Sequence, residues 1–262
     1  MAIEPRTPRL AVLIDADNAS PRIATGLFEE IAKLGEASVR RIYGDFSGTR
    51  LKAWADILPA HGIMAHQNFA TTSGKNASDI ALVIDAMDLL HSGRFEGFCL
   101  VSSDSDFTRL AARIREYGVD VYGFGEQKTP ESFRQACRRF IYTENLLPVV
   151  TTPAAPTNGS AASPPSQPAR IVQPPSKALP LIIKAVEQLD VGEKGWVSLG
   201  LVGKQLVKLA SDFDPRNYGT AQLSALVTKT GHFEVERREI GGIYIRVKPA
   251  AAKQAAKKAK TG

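Results

Sequence analysis

The chain has 262 residues, of which 44% are hydrophobic, and it carries a net charge of +6. This length and composition fit one medium domain and one small domain, and no apolar run reaches the roughly 18 to 20 residues that a membrane span requires. The first residues also lack the apolar stretch of a signal peptide, so we expect a cytoplasmic protein without a membrane partner.

Predicted strands and helices alternate along residues 5–148, which we assign to a first domain. The predicted strands span residues 10–14, 37–43, 63–69, 97–101 and 119–124. The predicted helices span residues 21–34, 51–58, 77–90, 107–117 and 131–140. The first strand is a continuous apolar run, typical of a strand buried on both faces. Strands that alternate with helices predict an α/β fold with a mainly parallel sheet flanked by helices.

Acidic side chains follow two of these strands at the point where each strand ends. Asp15 comes directly after the first strand, with Asn18 on the same loop, and Asp104 and Asp106 follow the fourth strand. Asp79 lies at the start of the helix at residues 77–90. If the first and fourth strands are neighbours, these side chains share the crevice outside the carboxyl ends of the sheet, where such folds bind ligands.

Several carboxylates in one crevice repel each other, so this cluster predicts a bound cation. Oxygen ligands suit Mg²⁺ or Mn²⁺, and both ions serve phosphodiester cleavage by activating water and neutralising phosphate charge. Zinc is disfavoured because the four histidines form no spaced pair with an acidic or cysteine partner, and Cys99 and Cys137 lack CxxC spacing. Each aspartate alone would also fit a turn or a helix cap. Asp17 belongs to the same strand-end pair as Asp15 but also fits a loop former, and Asp85 is interpreted as an ordinary solvent-facing or packing-edge charge.

Residues 151–175 contain seven of the sixteen prolines and almost no large apolar side chain. Such a segment cannot offset chain entropy by burial, so we predict a flexible linker over residues 149–175. The charge is unevenly placed, with a net −2 over residues 1–150, +3 over residues 176–248 and +4 over residues 249–262. The basic part is therefore C-terminal, as in an enzyme with an arm that holds a polyanion, although a basic tail also fits a merely solubilising end.

Residues 176–248 predict a small second domain, followed by a disordered basic tail at residues 249–262. Predicted helices at residues 179–189, 199–210 and 221–230 precede two alternating strands at residues 233–237 and 242–247. The glycine pair between the strands indicates a hairpin. Three helices and a two-stranded wing predict a winged helix-turn-helix, in which we assign Trp196 to the core.

Three segments of the first domain, LAVLIDADN, GKNASDIALVIDAMDLL and LVSSDSDF, resemble the NYN family of PIN-like nucleases, which includes the LabA-like proteins. The resemblance covers about residues 10–141. It implies a PIN-like Rossmannoid sheet, Mg²⁺ or Mn²⁺, and endonucleolytic attack on RNA. The family often has Ser-Gly-Asp before the fourth-strand acid, whereas this chain has Ser102-Ser103-Asp104, which leaves the loop geometry in question but not the acids.

Carried over by position, the resemblance predicts both the catalytic residues and the metal ligands. The catalytic set is Asp15, Asn18, Asp79, Asp104 and Asp106, and the four aspartates of this set are the metal ligands. Ser102 matches a small polar position near the phosphate. Lys75, in the loop before the helix that carries Asp79, is the predicted lysine contact to phosphate.

The second domain resembles the OST-HTH, or LOTUS, domain through GWVSLGLVGKQLVKLASDFDPRNYGTAQLSALV and HFEVERREIGGIYIRV. The resemblance implies RNA binding, with structured or G-rich RNA among the ligands, and protein binding in some relatives. A protein partner or a homo-oligomer through this domain is therefore left open. The predicted RNA contacts here are Arg216, Arg237 and Arg238.

Two other functions compete with the predicted RNA endonuclease. One is a non-catalytic RNA-binding adaptor with an inactive PIN-like domain, although several retained carboxylates argue against a decayed site. The other is a phosphatase of the haloacid dehalogenase type, suggested by Asp15-Ala16-Asp17. That family expects Thr or Val two residues after the second aspartate, where this chain has Ala19-Ser20, and its lysine and late acidic pair are not evident.

Overall fold

The structure is a computed structural model that describes residues 7–69, 77–147, 171–189, 195–238 and 242–248. The chain divides into two compact units, Met1–Ala169 and Arg170–Gly262, each with its own hydrophobic core. Among the described residues, no helix is both long enough and apolar enough to cross a membrane.

The first unit is built around a parallel sheet of six strands. They are β1 (Arg9–Asp15), β2 (Glu36–Gly44), β3 (Met64–Gln67), β4 (Gly97–Val101), β5 (Asp120–Gly125) and β6 (Arg139–Tyr142). Their order across the sheet is β3-β2-β1-β4-β5-β6, so the strand order reverses between β1 and β4, which lie side by side. The predicted α/β fold with a parallel sheet is confirmed.

Helices cover both faces of this sheet. They are α1 (Ala24–Ala32), α2 (Lys52–Ala55), α3 (Leu58–His61), α4 (Ala77–His91), α5 (Thr108–Glu116) and α6 (Glu131–Ala136). Successive residues of β1 point into different cores, with Ala11 and Leu13 on one face and Leu10, Val12 and Ile14 on the other. This two-sided burial explains why the strand reads as an unbroken apolar run.

Two of the predicted helices differ from the structure. The helix predicted over residues 51–58 is two separate short helices, α2 and α3. The helix predicted over residues 131–140 ends at Ala136, because Cys137 is extended and the chain then pairs with β5 as the sixth strand. Phe140 of that strand lies against Gly123, where a Cβ would come within 2.5 Å of the ring. The small neighbour therefore leaves room for a strand that carries a large aromatic side chain.

In the second unit, the described residues form three α-helices and a three-stranded antiparallel sheet. The helices are α7 (Leu179–Glu187), α8 (Leu199–Leu209) and α9 (Leu223–Thr230), and the strands are β7 (Val197–Ser198), β8 (Phe233–Arg238) and β9 (Gly242–Val247). The sheet order is β7-β9-β8, with β8 and β9 forming the predicted hairpin. The two-residue β7 was not predicted.

Candidate active site

Asp15 ends β1 with its carboxylate buried at the edge of the sheet; only 1% of the residue is exposed. One carboxylate oxygen, Oδ1, accepts hydrogen bonds from the backbone N–H groups of Asp17 (3.0 Å) and Asn18 (3.3 Å). The other, Oδ2, accepts from Asn18 Nδ2 at 2.7 Å and from Ser102 Oγ at 2.8 Å. Burial raises the pKa of Asp15, while these hydrogen bonds act to lower it. The loop thus holds the carboxylate in one fixed orientation.

Ser102 connects the ends of the two central strands. Ile14 and Val101 are paired in the parallel register, so the residues that follow them leave the sheet side by side. The Ser102 hydroxyl donates to Asp15 and accepts from the backbone N–H of Asp104 at 3.0 Å. Asp104 in turn accepts from the backbone N–H of Asp106 at 2.9 Å, which starts a short helical turn. A chain of hydrogen bonds therefore runs from one acidic loop to the other.

Asp79 lies in the first turn of α4 and is half-buried. Burial raises its pKa to about 6, and the negative charges of four other aspartates contribute in the same direction. In decreasing order of contribution, they are Asp15, Asp104, Asp17 and Asp106. The helix start and the two strand-end loops therefore bring their carboxylates within electrostatic range of one another. Even so, no three His, Cys, Asp or Glu side chains in the described part of the chain are arranged so that they could hold a metal ion.

Asp17 is set apart from its neighbours by an ion pair. Its carboxylate accepts a hydrogen bond from the Arg50 guanidinium, which lies in the segment before α2 and is largely exposed. No local sequence pattern connects Arg50 to a residue 33 positions earlier. The pair leaves Asp17 less suited than Asp15 or Asp79 to binding a further cation.

A second polar cluster at the first unit centres on Asp85 of α4. Its carboxylate accepts from Arg41 at 2.7 Å and from the Tyr43 hydroxyl at 2.8 Å, and His66 Nδ1 lies 3.4 Å away. Burial, together with Asp85, raises the pKa of Tyr43, and burial lowers that of His66. Asp85 therefore ties α4 to β2 and β3. The sequence indicated an ordinary solvent-facing or packing-edge charge at Asp85 and could not identify these distant partners.

The predicted RNA contacts of the second unit have different surroundings. Asp214 holds the Arg216 guanidinium through two of its nitrogens, at 3.0 Å and 2.6 Å. Arg237 is exposed on β8, whereas the guanidinium carbon of Arg238 lies 4.2 Å from the centre of the Tyr244 ring. Lys75 lies outside the described residues.

Trp196 differs from its predicted place in the core. It is only half-buried, and the guanidinium carbons of Arg246 and Arg238 lie 4.8 Å and 5.6 Å from its ring centre. Both arginines also pair with glutamates on the same sheet face, Arg246 with Glu234 and Arg238 with Glu236. The Trp196 ring therefore packs against two cationic side chains and is not a core side chain.

Two family models match the chain and confirm both resemblances. The model of the NYN domain matches residues 9–147, and the model of the OST-HTH/LOTUS domain matches residues 173–245. No curated protein matches the chain.

Two solved structures are similar to parts of the chain. A crystal structure of a protein of unknown function from Vibrio parahaemolyticus is 18% identical, with a TM-score of 0.47, covering 56% of this chain and 99% of that one. A solution NMR structure of an uncharacterized protein from Nitrosomonas europaea is 34% identical, with a TM-score of 0.26, covering 36% of this chain and 92% of that one.

Proposed function

Because the chain belongs to the NYN family and carries an OST-HTH/LOTUS domain after its NYN domain, we propose that it is a metal-dependent endoribonuclease of RNA processing or decay. NYN domains are PIN-like and nuclease-like, and OST-HTH/LOTUS domains bind RNA. In the proposed division of labour, the second domain holds the RNA and the first domain cuts it. Tethering the two raises the local concentration of substrate at the acidic site.

The observation that carries the proposal is the concentration of negative charge at the carboxyl edge of the sheet. Four aspartates act on Asp79 and, together with its burial, raise its pKa to about 6. A purely structural cluster of this kind would cost stability, because like charges favour the unfolded chain, in which they are far apart. Strongly shifted pKa values in a cleft are typical of functional sites. A divalent cation would relieve the repulsion.

The chemistry of the donor set fits Mg²⁺ or Mn²⁺. The candidate ligands are the four carboxylates of Asp15, Asp79, Asp104 and Asp106, and hard divalent cations prefer such oxygen donors. When bound, the ion would supply charge neutralisation at the phosphate and lower the pKa of the attacking water.

The chain's own residues would prepare this site before the RNA arrives. Asn18 and Ser102 orient the Asp15 carboxylate with three donors, two from Asn18 and one from the serine hydroxyl. Such fixed orientation keeps the reorganisation needed during the reaction small. Burial and the neighbouring carboxylates raise the pKa of Asp79 to about 6 in the metal-free chain, and a bound cation would favour the charged form of this carboxylate.

A non-catalytic RNA-binding adaptor is the second candidate, and one observation favours it. Among the described residues, the acids do not converge into a set of three that could hold a metal. In that case the acidic site would be a relic and the RNA-binding domain would account for the whole function. The two candidates differ in whether RNA is cut, so a direct assay separates them.

The test incubates the full chain with end-labelled single-stranded RNA and Mg²⁺ or Mn²⁺. Asp15→Asn and Asp104→Asn keep the shape of each side chain and remove its charge, so we expect cleavage to fall by about 100-fold or more in each. Chelation of the metal should abolish cleavage as well. The matched control is Asp88→Asn, which makes the same change at an exposed position further along α4.

Cleavage that persists at the original rate in the Asp15→Asn, Asp104→Asn double variant would be due to a contaminant, and the nuclease proposal would fail. RNA binding without cleavage in either metal would establish the adaptor. Equal loss of activity in the Asp88→Asn control would mean that the effect follows from removing any acidic charge of the first unit and is not specific to the site.

A further inference from the structure

A groove of about 490 Å³ opens on the second unit where the starts of α8 and α9 meet the start of β9. Its apolar walls are Leu199, Leu223 and Ile243. Gly200 and Gly203 of α8 also line it, so no side chain projects from α8 into the groove at these two positions. The volume lies in the range that holds a small organic ligand.

The glycine at position 200 leaves space that any side chain would fill. A Cβ added there would meet only the Ser198 hydroxyl, at 3.7 Å, which is ordinary contact. A Cβ at Gly203 would instead come within 3.3 Å of the Leu223 side chain. The groove is therefore open because position 200 has no side chain, although the surrounding space would accept one.

The charges around the groove favour an anionic ligand. None of its lining residues is charged, and neither α8 nor α9 has an acidic residue in its first turn. Arg237 faces Ile243 across the hairpin, so the two side chains share one face of the sheet, and Ile243 lines the groove. Arg237 is exposed and forms no ion pair or hydrogen bond with any other residue described in the structure.

The neighbouring Arg238 gives the contrast. It lies on the opposite face of the hairpin, where it pairs with Glu236 and stacks on Tyr244. Arg238 is thus held by its own domain, while Arg237, at the edge of the apolar groove, has no such partner among the residues that the structure describes.

We propose that this groove receives one unstacked nucleotide of single-stranded RNA, with the base between Leu199, Leu223 and Ile243 and the adjoining phosphate at Arg237. Recognition of RNA by proteins commonly uses bases that are splayed out of the stack into such sites. The inference rests on the proposed function, because it specifies how the second domain holds the RNA. The apolar walls fit a base, and the cation at the rim fits its phosphate.

The test measures binding of a short fluorescent single-stranded RNA of mixed sequence to the full chain in chelator, so that no cleavage occurs. Gly200→Leu fills the groove and replaces a helical glycine with a better helix former, so the fold is retained. We expect it to weaken binding about tenfold or more. Arg237→Gln should weaken binding about five- to tenfold and lower the slope of log affinity against log salt by about one.

The control is Lys184→Gln, which removes one positive charge from an exposed position on α7, away from the groove. Its affinity should change far less than that of Arg237→Gln. Melting curves check that all three variants are folded. If Gly200→Leu and Arg237→Gln bind RNA as tightly as the unaltered chain, the groove is not an RNA site and the inference is overturned. If the unaltered chain itself binds no RNA, the proposed function fails and this inference fails with it.

Discussion

The two units of the chain place their acidic side chains in contrasting surroundings. In the first unit, Asp15, Asp79 and Asp104 form no ion pair with any of the described residues, although their charges act on one another. In the described part of the second unit, three acids pair with arginines: Asp214 with Arg216, Glu236 with Arg238 and Glu234 with Arg246. An acid that is paired contributes to the fold, whereas unpaired acids that crowd together oppose it. The contrast suggests that the first set is retained for a ligand and the second for structure.

The contrast predicts that binding and cutting can be separated by truncation. A chain ending at residue 150 keeps both cores of the first unit and the whole acidic edge, so it should fold and still cleave RNA with Mn²⁺. Its affinity for RNA should fall by roughly 100-fold, because the tethered second site is gone. Fluorescence anisotropy and a cleavage time course measure the two effects. If the truncated chain binds RNA as tightly as the full chain, the second domain does not hold the substrate.

Breaking a pair in the second unit should cost stability. Asp214 is buried, and Arg216→Gln leaves its carboxylate without the guanidinium that holds it through two nitrogens. We expect a loss of about 3 kcal/mol in the free energy of unfolding of this unit, measured by urea denaturation of the full chain. The matched control is Lys208→Gln, which removes a cation on α8 that forms no ion pair within the part of the chain that the structure describes. Weaker RNA binding by Arg216→Gln without any loss of stability would show a direct contact instead.

Removing an unpaired acid in the first unit should have the opposite sign. The folded-state pKa of Asp79 is about 6, above its ordinary value of 3.8, so its charge opposes folding at pH 8. This loss of folding stability is complete above pH 6, declines as the pH falls through 6, and is absent below pH 3.8. In metal-free protein, Asp79→Asn should therefore stabilise the fold at pH 8 by about 1 kcal/mol, a figure reduced for solvent screening.

The gain from Asp79→Asn should disappear between pH 6 and pH 4, and thermal melts in chelator across that range measure it. Mn²⁺ should reverse the order at pH 8, stabilising the unaltered chain more than the variant, because a cation that binds only the folded state adds to its stability. A variant that is less stable than the unaltered chain at pH 8 in chelator would contradict the interpretation of the acidic edge.

The smallest effect concerns Arg50, the partner of Asp17 beside the unpaired acids. Arg50→Gln leaves Asp17 without its cation and so adds to the negative field on Asp79. The pKa of Asp79 should rise by a few tenths of a unit, because an exposed pair is well screened. Titration of carbon-labelled aspartates by NMR measures the shift, with Lys52→Gln as the control for loss of one exposed cation. A downward shift would contradict this arrangement of charges.

The sheet could be predicted from the sequence where burial leaves a continuous apolar pattern, as in β1 and β4. It could not be predicted where a strand depends on its partner. β6 follows a helix without a turn signal in the sequence and is defined by its pairing with β5. β7 has only two residues, and they form a strand because they pair with β9. Pairing between distant residues is decided by tertiary packing, which a local pattern does not contain.

The candidate site shows the same division. The acids at the ends of β1 and β4 could be predicted to meet, because the carboxyl ends of neighbouring parallel strands share one edge. Arg50 contacts Asp17, and Arg41, Tyr43 and His66 converge on Asp85. These contacts join residues that are 19 to 44 positions apart. Nothing in the spacing of these residues indicates their partners.

The hydroxyl of Ser102 connects the two acidic loops. It is the one atom described above that bonds to both acidic loops, donating to Asp15 and accepting from the backbone of Asp104. A change from serine to alanine would leave every carboxylate in place and remove only this connection. If the chain is the nuclease that we propose, this substitution should slow RNA cleavage, because Asp15 would keep only its donors from Asp17 and Asn18, while the RNA-binding domain would be unchanged.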